Sequence, residues 1–362
     1  MENTEMIKPL FDKDNLKALD AISHAHLIAF APYVWEASKL LKEEGILHIV
    51  EKANLNGITI EAVANQTEMS LYGVRILLEA GLGIGLVYRK IDHYFLSKTG
   101  HFFLNSPSIV VNYNFMRDVC YKGAETLGES IKNSKPEGLK TLGNWETLYE
   151  GLSEFPEPAK KSWFDFDHFY SDNSFDDILP VVFNSNPKSI LDIGGNTGKW
   201  TLKCLNYNEN IELGIVDLAG QLRVAKENIR EAGFLNRFKP YEINVLVPEN
   251  NLPKGYDIIW MSQFLDCFSD QEIISILEKC HEAADENTRI FINETFWDCQ
   301  KYEASAFALQ MTSLYFTTMA NGNSQMYDST VFFKLIDKAG FEIINQYDLI
   351  GYGHTLLELK KK

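Results

Sequence analysis

"LDIGGNTGKW", residues 191–200, decides the fold. Leu191 to Ile193 closes an apolar run, Gly194-Gly195-Asn196-Thr197-Gly198 follows, and Lys199-Trp200 opens a stretch with helical spacing. Glycines between a buried strand and a helix let the backbone approach a ligand at the helix N-terminus, where unpaired N–H groups point outward. Two phosphate-binding readings fail on spacing. A phosphate loop needs G-x-x-x-x-G-K-[ST], but Gly194 to Gly198 is one residue short and Trp200 stands where the hydroxyl belongs. A dinucleotide fingerprint needs G-x-G-x-x-G, which Gly194-Gly195 breaks.

Outward from this loop, apolar strands alternate with helices. "KSILDIGG" is followed by a helix, "IELGIVDL", a helix from about Gln221 to Ala232, "FKPYEINV", "YDIIWMS", a helix from Asp270 to Ala284, and "RIFINET". That order predicts an α/β fold, a doubly wound Rossmann-like sheet covered on both faces. "FEIINQYDLI" and "HTLLELK" add two strands, the last antiparallel. Asp217 ends the second strand 25 residues beyond Asp192. A carboxylate at that strand end, at the switch point of the sheet, accepts two hydrogen bonds from ribose hydroxyls.

Upstream, residues 24–52 carry apolar positions at helical spacing and predict one or two helices whose broad apolar face needs a partner. Thr59 resembles an N-cap, a turn falls near Met69-Ser70, and "GLVYRKIDHYFLS" has two short β-rich runs about a polar turn. Together these predict a mainly helical, winged-helix N-terminal domain. From Ile58 to Gly100 four acids (Glu61, Glu68, Glu79, Asp92) balance four bases (Arg75, Arg89, Lys90, Lys98), and the second helix offers only Arg75. A DNA-reading helix needs a basic stripe, so dimerisation is the better reading. The boundaries expected are a dimerisation domain over 1–105, a helical connecting and acceptor-pocket segment over 106–180, and the sheet domain over 181–362.

Composition agrees. The 362 residues hold 34 Lys+Arg against 50 Asp+Glu, a formal charge of −16 that repels nucleic acid and anionic membranes. Five cysteines, an odd number with no Cys-x-x-Cys pair, argue against a disulfide framework and a metal site. No apolar run reaches the ~18 residues of a membrane span, and the start lacks signal-peptide order. A cytoplasmic protein is expected.

D-x-G-G-x-T-G is the loop of class I S-adenosylmethionine (SAM) methyltransferases. With Asp217 added, the chain resembles the dimeric small-molecule O-methyltransferases that include plant caffeate and hydroxyindole methyltransferases and bacterial polyketide-tailoring relatives. The resemblance rests also on "YFLSKTG", "VDL", "FSDQEIISILEKC", "ETF" and "LIDKAGFE". It implies a homodimer through the N-terminal domain and a small, aromatic hydroxyl acceptor. It further implies that Asp192, Gly194 and Gly195 line the methionine side of SAM and that Asp217 with Leu218 binds the ribose. Asn244 and Val245 would flank the adenine, Ser262 would lie near the cofactor, and Phe268 would stand against the adenine ring.

The catalytic positions depart from that family. Its base is a His in His-Asp-Trp-Ser-Asp, and aligning Ser269-Asp270 with the last two residues puts Asp266 in its place. The supporting Glu falls on Glu294, while a second Glu falls on Met326. Three explanations stand open: Asp266 is the base beside Glu294; His168 in "WFDFDHFYSD" serves instead; or a ring carbon is methylated and alignment does most of the work. His168 also reads as a helix-surface histidine, and Asp266 as a helix cap, although Ser269 is better placed for capping. Phe164, Phe316 and Met319 are the expected acceptor contacts, each equally readable as core. A non-catalytic SAM-binding regulator is the reading from another class.

Overall fold

The computed structural model describes residues 9–362 and divides into two units, Lys13–Asn114 and Phe115–Lys362, with residues 9–12 belonging to the second. The division falls inside the stretch 106–180 expected to connect the domains.

In the first unit, residues expected as one or two helices form three: α1 (Ala18–Ala29), α2 (Ala31–Glu43) and α3 (Ile46–Ala53). The breaks have local causes. Pro32 sits in the first turn of α2, where its missing N–H costs nothing, and Gly45 takes a left-handed φ of 73° ahead of α3. Thr59 caps α4 (Ile60–Ala64) and Ser70 caps α5 (Leu71–Ile84), each accepting a backbone N–H from three residues on. The hairpin β1 (Val87–Lys90) and β2 (His93–Leu96) follows, then α6 (Lys98–Asn105) and α7 (Pro107–Phe115). Leu41, Ile46, Leu47, Val50, Val74 and Leu78 fill this unit's core. None of α1 is buried, although Leu19 is 78% exposed and Ile28 67%.

The second unit begins with α8 (Leu127–Asn133), α9 (Leu148–Gly151), α10 (Ala159–Ser171) and α11 (Phe175–Val182). Its sheet alternates β3 (Ser189–Ile193), α12 (Lys199–Tyr207), β4 (Glu212–Asp217), α13 (Ala219–Glu231), β5 (Phe238–Glu242), β6 (Ile258–Ser262), α14 (Asp270–Ala283) and β7 (Arg289–Glu294). Then come α15 (Glu303–Tyr315), α16 (Ser329–Lys338), β8 (Phe341–Ile350) and β9 (His354–Lys361). The strand order is β5-β4-β3-β6-β7-β9-β8, with β3 to β7 parallel and β9 antiparallel to both neighbours. Crossing from β5 back to β6 reverses the winding, so the carboxyl ends of β3 and β6 flank the crevice where such sheets take ligands.

Both faces are apolar because both are covered. Ile190, Ile215, Trp260 and Phe291 pack with α11, α12 and α13, and Leu191, Ile193, Ile259 and Ile292 pack with α14 and α16. Each such side chain contributes ~1.5–3 kcal/mol on burial. Trp200, in the first turn of α12, stacks on Trp260 of β6 with centroids 4.1 Å apart and planes 16° from parallel. A third cluster, aromatic in character, joins Phe115, Trp163, Tyr315, Phe316 and Met319, with Trp163 Nε1 donating to Tyr315 Oη at 2.8 Å.

Candidate active site

The loop after β3 is shaped by what its glycines exclude. A Cβ on Gly194, whose φ is +75°, would lie 2.1 Å from the Phe264 ring, and one on Gly195 would lie 2.8 Å from Asp192 Oδ2. The backbone is thereby bare toward the crevice. Asn196, left-handed at φ 48°, donates its N–H to Asp217 Oδ2 at 2.8 Å, and Leu218 N–H donates to Oδ1 at 2.7 Å. Asp217 thus ties the glycine loop to the end of β4 and keeps further lone pairs for a ligand's hydroxyls. Asp192, 2% exposed, accepts Thr201 Oγ1 at 2.8 Å. Burial pushes Asp192 up to about 7, opposed by Thr201 and assisted by the charge of Asp217. Burial likewise lifts Asp217 to about 6 against its two backbone donors.

The turn after β6 is strained and pinned. Gln263 holds a left-handed φ of 44°, unusual for a residue with a Cβ, and donates its N–H to Asn293 O at 2.9 Å. Phe264 and Leu265 then donate theirs to Glu294 Oε1 at 3.0 and 2.9 Å. Glu294, 1% exposed, is therefore the anchor of the segment that carries Asp266, and its Oε2 is buried without a hydrogen-bond partner among the described residues. Asp266 is itself 4% exposed, and its Oδ1 accepts a weak thiol donor, Cys267 Sγ, at 3.4 Å. Its carboxyl is pushed up to about 7, mainly by burial and further by the negative charge of Asp167, while the Cys267 contact opposes the rise. Burial and the nearby Asp266 hold Glu294 well above the carboxylate range despite its backbone donors. The capping alternative for Asp266 is answered locally: Ser269 and Glu272 form a capping box for α14, with Ser269 N and Oγ donating to Glu272 Oε2 at 2.8 and 2.7 Å.

The α10 helix supplies a residue that sequence reasoning passed over. Asp167 lies on it four residues after the buried Trp163, and its Oδ2 accepts Asn196 Nδ2 at 3.3 Å, which links α10 to the glycine loop. Burial raises Asp167 to about 6. An acid on the aromatic face of a helix was the available signal. His168 stacks on Phe164 at 5.9 Å, with Nδ1 3.8 Å from Asp167 Oδ2 and 3.7 Å from Asp172 Oδ1. Lys199 meets Asp172 Oδ2 at 2.6 Å. Tyr149 was also passed over; its hydroxyl is buried beside the Cys267 thiol, and burial raises it well above the ordinary phenol value.

The structure brings Asp192, Gly194, Gly195, Asp217 and Leu218 into one rim, and joins Asp266 to Glu294 through the pinned turn. Phe268 lies edge-on to Phe264 at 4.8 Å, which in turn lies over Gly194. Ser262 Oγ accepts Asn293 Nδ2 at 3.0 Å. Asn244 is exposed, with its Oδ1 occupied by Leu246 N–H at 2.9 Å, whereas Val245 is buried. Phe316 and Met319 are buried in the aromatic cluster, and the Met319 sulfur lies against Gly123 and Gly138. Met326 is buried, with Thr295 Oγ1 3.5 Å from its sulfur.

Comparison with known proteins fits this arrangement. Residues 23–94 match the Dimerisation2-like domain and residues 174–342 the O-methyltransferase domain, together about two thirds of the chain. An L-tyrosine C(3)-methyltransferase from Streptomyces lavendulae is 24% identical over 243 residues, covering 66% of this chain and 64% of that protein. A demethylspheroidene O-methyltransferase from Cereibacter sphaeroides is 25% identical over 263 residues, covering 70% and 65%. The chain thus spans slightly less than two thirds of the length of these relatives. The fold is that of the S-adenosylmethionine-dependent methyltransferase SibL in its apo form, with a TM-score of 0.70 at 19% identity over 94% of this chain and 99% of that one. The chain thus carries an O-methyltransferase domain on a doubly wound sheet behind a Dimerisation2-like domain.

Proposed function

We propose that the chain is a SAM-dependent methyltransferase acting on a small aromatic acceptor, with the hydroxyl oxygen as the default target. The observation that carries this reading is the carboxyl rim of the sheet: a glycine cradle that a Cβ would fill, beside carboxylates buried without a cation of their own. The donor set fits the cofactor. Asp192, Gly194 and Gly195 line its methionine part, Asp217 and Leu218 the ribose, Val245, Asn244 and Phe268 the adenine, with Ser262 nearby. When bound, SAM supplies an electrophilic methyl group on a sulfonium.

Asp266 takes the acceptor's hydroxyl proton. An ordinary carboxylate is a poor base for a phenol, with ~6 pKa units separating the two. Burial that lifts Asp266 to about 7 narrows that gap to ~3 units, so the environment compensates for the absent histidine. Glu294 positions this base through the Phe264 and Leu265 amides, and Phe164 and Phe316 are the acceptor's apolar walls. His168, paired with two acids, orients the α10 surface. The second reading is methylation of a ring carbon next to the phenol oxygen, favoured by Asp266 at the histidine position and by the C(3)-methyl transfer for which the Streptomyces lavendulae relative is named. There the phenol proton goes to Asp266, the ring carbon takes the methyl group, and the ring proton then leaves to solvent as Asp266 returns its proton to the oxygen.

Two copies associate through the first unit, where the bare apolar surface of α1 supplies the area a partner would cover. Its helix pair and hairpin act as a winged-helix dimerisation module and not as a DNA reader. No described helix is long and apolar enough to cross a membrane, and the five free cysteines suit the reducing cytoplasm.

Calorimetric titration of SAM and S-adenosylhomocysteine, followed by product analysis on a phenol panel for wild type and Asp266→Asn, tests the reading. SAM binding with turnover lost in Asp266→Asn supports it, and NMR of the product separates oxygen from carbon. A wild type that binds neither cofactor form would sink it. Light scattering of Ile22→Glu tests the interface, and an unchanged dimer would remove α1 from it.

A further inference from the structure

Asn196 occupies a place that a glycine would fill without strain. Its φ of 48° is left-handed, as are the 75° of Gly194 and the 80° of Gly198 in the same loop, yet it carries a Cβ. Asn adopts this region more readily than most residues, but such a conformation persists only where neighbouring contacts hold it.

Those contacts run in two directions. The Asn196 N–H donates to Asp217 Oδ2 at 2.8 Å, on the side expected to hold ribose, and its Nδ2 donates to Asp167 Oδ2 at 3.3 Å, on α10. Asn196 therefore bonds both an acid of the cofactor rim and the helix of the aromatic wall. Phe166, the residue before Asp167, stacks on Phe115 with centroids 4.0 Å apart and planes 13° from parallel, and Trp163 Nε1 donates to Tyr315 Oη at 2.8 Å. Lys199 gives a second tie, to Asp172 at the end of α10, but those side chains are 43% and 32% exposed and the pair is screened by water.

We propose, building on the methyl-transfer reading, that Asn196 is a positioning residue that couples the cofactor site to the acceptor wall. A ligand that bonds Asp217 fixes the acceptor of the Asn196 N–H, and so fixes the direction in which the side-chain amide reaches Asp167. An occupied cofactor loop thus holds α10 and its aromatic residues in place. Coupling of this kind is reciprocal, so whatever fills the space beside α10 tightens the cofactor by the same factor.

The test is hydrogen–deuterium exchange of the full chain with and without saturating S-adenosylhomocysteine, in wild type, Asn196→Gly, Asp167→Ala, Asp167→Asn and Lys199→Met. In wild type the ligand should slow exchange across the glycine loop and, by about threefold to tenfold, across α10, the range for one hydrogen bond. Asn196→Gly keeps the backbone N–H and relieves the strain but removes the amide, and Asp167→Ala removes its acceptor. In both, the ligand should still protect the loop and no longer slow α10. Asp167→Asn retains an oxygen for the amide and should keep the α10 effect, as should Lys199→Met. A merely structural role would not depend on the ligand in this way. Loop protection without α10 protection in wild type overturns the proposal, as does an α10 effect that survives Asn196→Gly or Asp167→Ala, or that vanishes in Asp167→Asn or Lys199→Met. If calorimetry shows Asp167→Ala weakening S-adenosylhomocysteine by more than the lost α10 factor, Asp167 faces the ligand itself and the proposal falls. Failure of the methyl-transfer reading registers separately, as the absence of any loop protection in wild type, and takes the proposal with it.

Discussion

The two rims of the same sheet solve opposite problems. At the amino ends of β3 to β6, Lys188, Glu212, Lys239, Lys254, Tyr241 and Tyr256 surround a cleft of about 520 Å³. Charges there stand in solvent: Lys239 meets Glu212 at 3.1 Å with both side chains more than half exposed. At the carboxyl ends, Asp192, Asp266 and Glu294 are buried, and their charged neighbours include other acids. Charges in a cleft open to solvent are hydrated, whereas buried carboxylates without cations are stable only if protonated or joined by a positive ligand. Uncompensated burial, rather than volume, identifies the working end.

The sharpest way to break this contrast is Asp266→Asn. Loss of the proposed base is expected to lower kcat by about 10²–10⁴ with SAM affinity within about threefold, measured by product formation and calorimetry. Asp217→Ala should weaken SAM by about 10–100-fold or more, since a charged acceptor of two hydrogen bonds is lost together with the anchor of Asn196. At the amino rim, Arg289→Ala strips Glu358, 4% exposed, of the donor at 2.7 Å, and a cost of ~1–3 kcal/mol is expected in denaturant unfolding with SAM binding intact.

The pH dependence carries a definite sign. Asp192, Asp217, Asp167 and Asp266 have folded values of about 6 to 7, above their unfolded ~3.9, so their contribution is full below pH ~4 and is lost as pH rises through 6 to 7. Free protein should therefore lose part of its thermal stability between pH ~4 and ~7, while the stabilisation by SAM grows as the acids ionise. A ligand-induced shift in melting temperature that shrinks toward pH 8 would contradict a cation-binding role for these acids. The smallest effect belongs to Lys239→Ala, which should leave the denaturant midpoint unchanged, because an exposed ion pair is screened by water and salt.

Much of the fold was legible because it is written locally. Strand and helix alternation from Lys188, the N-cap at Thr59, the turn at Met69-Ser70, and Ser269 as the cap of α14 follow from adjacent residues. The break between α1 and α2 was readable at Pro32 but lost in a continuous apolar pattern. The environment of Asp266 was not legible. It is made by Asp167 and Glu294, which lie 99 residues before and 28 after it, so no window of sequence contains the interaction. Met319 illustrates the same limit: nothing near it shows that Gly123 and Gly138 are the surfaces its sulfur lies against.

The stacked indoles of Trp200 and Trp260 have an optical consequence. One begins the helix that leaves the glycine loop, and the other lies on the strand that leads to the Asp266 turn. Transition dipoles 4.1 Å apart and nearly parallel couple strongly, so the pair should give an excitonic band in circular dichroism and quenched, shifted fluorescence. Any ligand that reorders either loop perturbs that signal, which makes the protein its own unlabelled gauge of occupancy.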